Sequence, residues 1–133
     1  MKINGSCHCG KVTFSAEVNP SSVSVCHCTD CQVLSGSPYR ASVPAPVGQV
    51  SLAGETRTYV KVAQNGSRRA QVFCPECGTP LYATAADKPE ILMLRLGCIA
   101  QRRELAPGRQ IWRQSALPWV DRIGELPAIA GQP

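Results

Sequence analysis

Apolar and polar positions alternate along much of this 133-residue chain. Val12, Phe14, Ala16 and Val18 are interleaved with Lys11, Thr13, Ser15 and Glu17, the period-two pattern of a half-buried strand. Asn19-Pro20-Ser21-Ser22 reads as a turn, after which Val23 and Val25 resume the alternation into Cys26. Thr56 to Val62 is β-branched and aromatic, Gln64-Asn65-Gly66-Ser67 has hairpin-turn composition, and Arg69-Ala70-Gln71-Val72-Phe73 returns as its partner. Val50-Ser51-Leu52 reads as a short strand, and Pro44-Ala45-Pro46-Val47-Gly48 as an irregular connection. Ile91-Leu92-Met93-Leu94 is unbroken apolar sequence, which predicts a central strand buried on both faces. One helix start is visible. Thr29-Asp30-Cys31-Gln32 fits a capping box with Thr29 as N-cap, and Ser35-Gly36-Ser37-Pro38 closes the helix soon after. The pattern predicts a mainly β protein with one short helix.

Composition narrows the class. Eleven Gly and eleven Pro interrupt the chain too often for a helical bundle. The length suits one ordinary domain, placed at residues 1–127, with 128–133 read as a loose tail rich in small residues, Pro and Gly. No apolar run approaches the ~20 residues of a membrane span, and residues 1–5 start no secretory signal, so the expectation is a cytoplasmic protein without a membrane partner.

In a reducing compartment, eight cysteines point to metal rather than disulfides, and the spacing agrees. They fall as Cys7-His8-Cys9, Cys26-His27-Cys28-Thr29-Asp30-Cys31 and Cys74-Pro75-Glu76-Cys77, with Cys98 alone. Close pairs are how chelating loops are built. The formal charge of +5 counts every thiol as neutral; seven thiolates around two zinc ions contribute −3 and leave +2. That charge, with no Lys/Arg-rich block and few aromatic residues, argues against nucleic acid as a partner.

Zinc takes four tetrahedral sulfur or imidazole ligands in a structural site and three, plus an open position, in a catalytic one. Cys74-x-x-Cys77-Gly78 has knuckle form, and Cys7-x-Cys9-Gly10 offers a second pair, again followed by Gly. Together they would make a closed four-cysteine site. Cys26, Cys28 and Cys31 remain, a partly open trio that need not be filled in the resting protein. Cys98, His8 or His27 could complete that trio, or the trio could itself be the structural site. The two histidines, each between cysteines on extended backbone, are read as pointing away from metal, and Cys98 as a small core residue. Cys31, in the first helical turn, is placed where a thiolate is favoured.

These residues also carry a resemblance. Gly5-Ser6-Cys7-His8-Cys9-Gly10-Lys11-Val12, the Cys26-x-Cys28-x-x-Cys31 motif with Ser35-Gly36, Phe73-Cys74-x-x-Cys77-Gly78-Thr79-Pro80-Leu81, and Ile111-Trp112 to Pro118-Trp119-Val120 resemble, in order, the glutathione-dependent formaldehyde-activating enzyme family, which includes centromere protein V. The resemblance implies two twisted antiparallel sheets of β-tent type stabilised by zinc. It implies structural zinc on Cys7, Cys9, Cys74 and Cys77, and a second, catalytic zinc on Cys26, Cys28 and Cys31. It further implies a carbon–sulfur lyase that joins a glutathione-type thiol to a small aldehyde, giving S-hydroxymethylglutathione when that aldehyde is formaldehyde. The position after the third cysteine, often basic in the family, is Gln32 here. Ser35, Ser37, Tyr39 and Arg40 are candidates for holding an anionic thiol, while Trp112 and Trp119 are read as core residues rather than a pocket wall. Two other functions fit the same cysteines: a non-catalytic zinc-stabilised binding module, in which Cys98 closes the trio, and a thiol redox or metal-buffering protein.

Overall fold

A computed structural model describes residues 1–133. The chain runs through β1 (Lys2–Ser6), β2 (Thr13–Glu17), β3 (Ser24–Cys26), helix α1 (Thr29–Ser35), β4 (Arg40–Pro46) and β5 (Val50–Ala53). It continues through β6 (Arg57–Val62), β7 (Arg68–Phe73), β8 (Pro80–Ala85), β9 (Ile91–Arg95) and β10 (Arg109–Ile111), with 3-10 turns filling several connections. The strands form two sheets, β1-β2-β5 and β10-β3-β4-β9-β8-β7-β6. The mainly β, two-sheet reading therefore holds, and the short helix begins within the cysteine motif, with Cys31 in its first turn. Neighbouring strands are antiparallel except β10, which runs parallel to β3. No helix is long and apolar enough to cross a membrane.

Both sheets contribute to one apolar core. Ile3 and Phe14 of the small sheet join Val43, Ala45, Leu92 and Leu94 of the large one, each nearly or fully buried. The alternation read at Val12, Phe14, Ala16 and Val18 is realised, since all four are buried. The predicted hairpin turn forms as well, with the Ala63 amide donating to the Ser67 carbonyl at 2.8 Å.

Two readings need correction. Residues 44–46 are not irregular: they are the second half of β4, paired with Met93, Leu92 and Ile91. The Val47 amide donates to Glu90 on the β9 side, so by alternation the nitrogens of Pro44 and Pro46 face the other edge, where β3 has already ended. Proline removes no ladder bond there. The apolar run of β9 is central but not buried on both faces: Leu92 and Leu94 enter the core, Met93 is half-buried on the opposite face, and Ile91 is exposed.

Candidate functional site

Two cysteine clusters form, and they are the two that the spacing suggested. The Sγ atoms of Cys7, Cys9, Cys74 and Cys77 lie within 4.8 Å of one another, and so do those of Cys26, Cys28 and Cys31. All eight cysteines are thiols.

The four-sulfur cluster is built from two matched knuckles. One joins β1 to β2 and the other joins β7 to β8, so each sheet supplies half. In the first, the Cys7 amide donates to Val12 O at 2.9 Å, Gly10 N to Cys7 O at 3.1 Å, and Val12 N to Cys7 Sγ at 3.3 Å. In the second, Cys74 N donates to Thr79 O at 3.0 Å and Gly78 N to Cys74 O at 2.8 Å. Gly10 and Gly78 hold φ of 81° and 74°, left-handed conformations that close each loop. The Cys7–Cys9 and Cys9–Cys74 sulfur separations are 3.6 and 3.8 Å. Tetrahedral bonds of about 2.3 Å to zinc place sulfurs about 3.8 Å apart, so the donor set fits such an ion.

The surroundings already favour partial ionisation. The Thr79 hydroxyl, then the Thr79 and Cys9 amides, lower Cys77 to about 5. Cys9 keeps the Lys11 amide, which favours its thiolate, yet burial and the three neighbouring thiols push it up to about 12. Like charges this close resist joint ionisation until a cation joins them.

The trio sits at the end of β3 and the start of α1. Here the sequence placed the N-cap one residue late. Cys28, extended at ψ 153°, is the N-cap, and its Sγ accepts from the Cys31 amide at 3.3 Å. Gln32 does not close a capping box; its Nε2 donates to His27 O at 2.8 Å and to Ser115 O at 3.0 Å. Gly36, at φ 64°, ends the helix. A hydrogen bond from Cys26, opposed by burial and aided by the Arg40 charge, lowers Cys31 to about 5. The same contact with Cys31, together with burial, raises Cys26.

A cleft of about 830 Å³ opens over the trio, with Cys26, Cys28 and Cys31 in its wall. Its floor is the second face of the large sheet. Ser42 pairs with Arg95, Cys26 with Arg40, and Lys61 with Arg69, and residues two apart on a strand share a face. Arg40, Lys61, Arg69 and Arg95 all line the cleft, against the single carboxylate of Asp30. Lys61 Nζ meets that carboxylate at 2.6 Å. Trp112 also lines the cleft, with φ 57°, the one non-glycine residue of positive φ.

The other sequence candidates divide. Cys98 belongs to neither cluster; its Sγ donates to Pro80 O at 3.0 Å, and burial raises its pKa to about 11. His8 is exposed, and His27 is 2% exposed, with Nε2 2.8 Å from Gln110 Oε1 and its ring edge-on to Tyr39. Neither histidine joins a cluster. Of the four candidate thiol-holding residues, Arg40 lines the cleft, whereas Ser35 bonds back to Cys31 O at 2.6 Å. Ser35, Ser37 and Tyr39 are not in the cleft wall. The core reading of the tryptophans is overturned: Trp112 is 44% and Trp119 53% exposed. Arg69, Gln71 and Arg95 were missed because strand alternation makes them look like an ordinary solvated face. The one available signal was that Arg40 and Ser42 on β4, and Arg69 and Gln71 on β7, are polar pairs two residues apart and so share a face.

Comparison with known proteins follows the same outline. The sequence profile of the family described as glutathione-dependent formaldehyde-activating enzyme matches residues 2–115. An uncharacterised lyase of Schizosaccharomyces pombe is 32% identical over 78 residues, 59% of this chain and 54% of that protein. The chain thus matches about half the length of that relative. A crystal structure of a Rhodobacter sphaeroides protein superposes with a TM-score of 0.61 at 18% identity, covering 80% of this chain and 98% of that one. That likeness concerns the fold.

Proposed function

This chain belongs to the glutathione-dependent formaldehyde-activating enzyme family, and we propose that it is a zinc-dependent carbon–sulfur lyase acting on the adduct of a glutathione-type thiol and a small aldehyde. The observation that carries this reading is the three-sulfur cluster that opens onto a large cleft with no fourth protein donor beside it. Cys98, the ligand that a purely structural site would recruit, is engaged with Pro80 instead.

In this reading Cys7, Cys9, Cys74 and Cys77 hold a structural zinc, and Cys26, Cys28 and Cys31 hold a second one facing the cleft. Held by Cys26, Cys28 and Cys31, a zinc ion would supply Lewis acidity to the aldehyde. The chain's own residues do the rest. A hydrogen bond from Cys26 and the charge of Arg40 favour anionic sulfur at Cys31. Gln32 ties α1 to the segment after β10 through Ser115, fixing the trio against the cleft wall. In the forward direction a sulfur–carbon bond forms, the carbonyl π bond opens, and the thiol proton ends on the former carbonyl oxygen. Cleavage is the reverse. The S. pombe relative's designation as a lyase supports the class.

The test is exchange spectroscopy by NMR on protein of counted metal content, with formaldehyde, glutathione and their adduct. Two zinc ions per chain and exchange above the uncatalysed rate are the expected result. A rate equal to background at full zinc loading would reject the activity.

A further inference from the structure

Three arginines meet on the cleft floor without a carboxylate among them. Arg95 is 8% exposed, with Nη1 donating to Ser42 Oγ at 2.8 Å and Nη2 to Gln71 Oε1 at 3.1 Å. Both of its partners are neutral, and its Nε is buried with none, as is the Nε of Arg40. Arg40, Arg69 and Arg95 are absent from every ion pair of the protein, although Lys61 beside them is neutralised by Asp30. A buried guanidinium left without a counter-charge is costly, and a buried pair or ligand is the usual remedy.

The trio does not supply that counter-charge in full. Three thiolates on a divalent ion carry a net charge of −1, and three crowded thiols without an ion resist losing more than one proton. Either way the three arginines leave an excess of two positive charges at the cleft floor. Burial and then repulsion from Arg40 bring Arg95 down to about 9, only partly opposed by attraction to Cys31 and Cys26.

We propose that Arg95, flanked by Arg40 and Arg69, forms an anion subsite that receives a carboxylate of the thiol substrate and turns its sulfur toward Cys26, Cys28 and Cys31. The proposal rests on the lyase reading for the identity of the ligand, and it adds the substrate's charge as a determinant of specificity. A planar carboxylate matches the guanidinium fork, and the Ser42 and Gln71 contacts hold that fork in place. A neutral thiol would leave the charges as they are; an anionic one relieves them.

The probe is S-methylglutathione, which keeps both carboxylates but has no free thiol to react. Calorimetry on zinc-loaded protein should show it binding about tenfold or more tightly than its dimethyl ester. Arg95→Gln should abolish the difference at unchanged zinc content. Arg69→Gln, on a less buried residue, should reduce it and decides the matter if the Arg95 variant does not fold. Equal binding of acid and ester would overturn the proposal, as would displacement of the probe by equimolar inorganic phosphate. The two readings fail separately. Ester-sensitive binding without aldehyde exchange removes the lyase activity and leaves the anion subsite; exchange with ester-insensitive binding does the reverse.

Discussion

Thr79 shows how much a single side chain can set in a cluster of identical thiols. Its Oγ accepts from the His8 amide at 3.1 Å, so its own proton is free to point at Cys77 Sγ, also 3.1 Å away. Cys77 and Cys9 are both exposed, yet Cys77 is held near 5 and Cys9 near 12. At pH 7, above the first value and below the second, Cys77 is a thiolate and Cys9 a thiol. In metal-stripped, reduced protein at that pH, iodoacetamide should label Cys77 before Cys9, as read by peptide mass spectrometry. The preference should fade as pH falls through about 5. Thr79→Val should slow Cys77 labelling at pH 7 on the order of tenfold by returning the thiol toward its ordinary range. Equal labelling of the two residues would contradict this account.

Strand β9 divides its residues between two tasks. Leu94 is 1% exposed and packs in the core, whereas neighbouring Met93 lines the cleft. Leu94→Ala should therefore destabilise the protein by about 2–5 kcal/mol in urea unfolding. Met93→Ala should cost far less and should instead alter ligand binding. Similar losses from both would mean that the strand is buried on each side after all. This two-sidedness explains what the sequence disclosed and what it withheld. The knuckles were legible because their ligands and closing glycines lie within five residues of each other. The core face of β2 was legible because alternation is local. The cleft floor joins Ser42, Gln71 and Arg95, which only strand pairing brings together. Its polar residues imitate solvated positions. The Thr29 capping box misled because Cys28 offers a sulfur acceptor one residue earlier, a role that cap statistics assign mainly to oxygen.

Across the whole molecule, the four-sulfur cluster is where a bound metal ion would fasten the two sheets together. Cys9 and Cys74 are 65 residues apart in sequence, and a cross-link closing such a loop is worth about 4 kcal/mol by chain entropy. The trio closes only a short segment at the head of α1. Cys74→Ser should thus lower the melting temperature far more than Cys28→Ser, and a chelator should act on the wild type as Cys74→Ser does. Differential scanning calorimetry at matched protein concentration would measure this; equal shifts for the two variants would refute it.

The wide separation of the two knuckles also governs the birth of the protein. As the ribosome extends the chain at ~5–20 residues per second, Cys7 and Cys9 wait roughly 3–13 s for Cys74 to be translated. During that interval the nascent peptide offers two unshielded sulfurs to any passing oxidant or scavenged ion. Translation speed and the cell's supply of free thiols therefore bear on how much of each batch matures correctly.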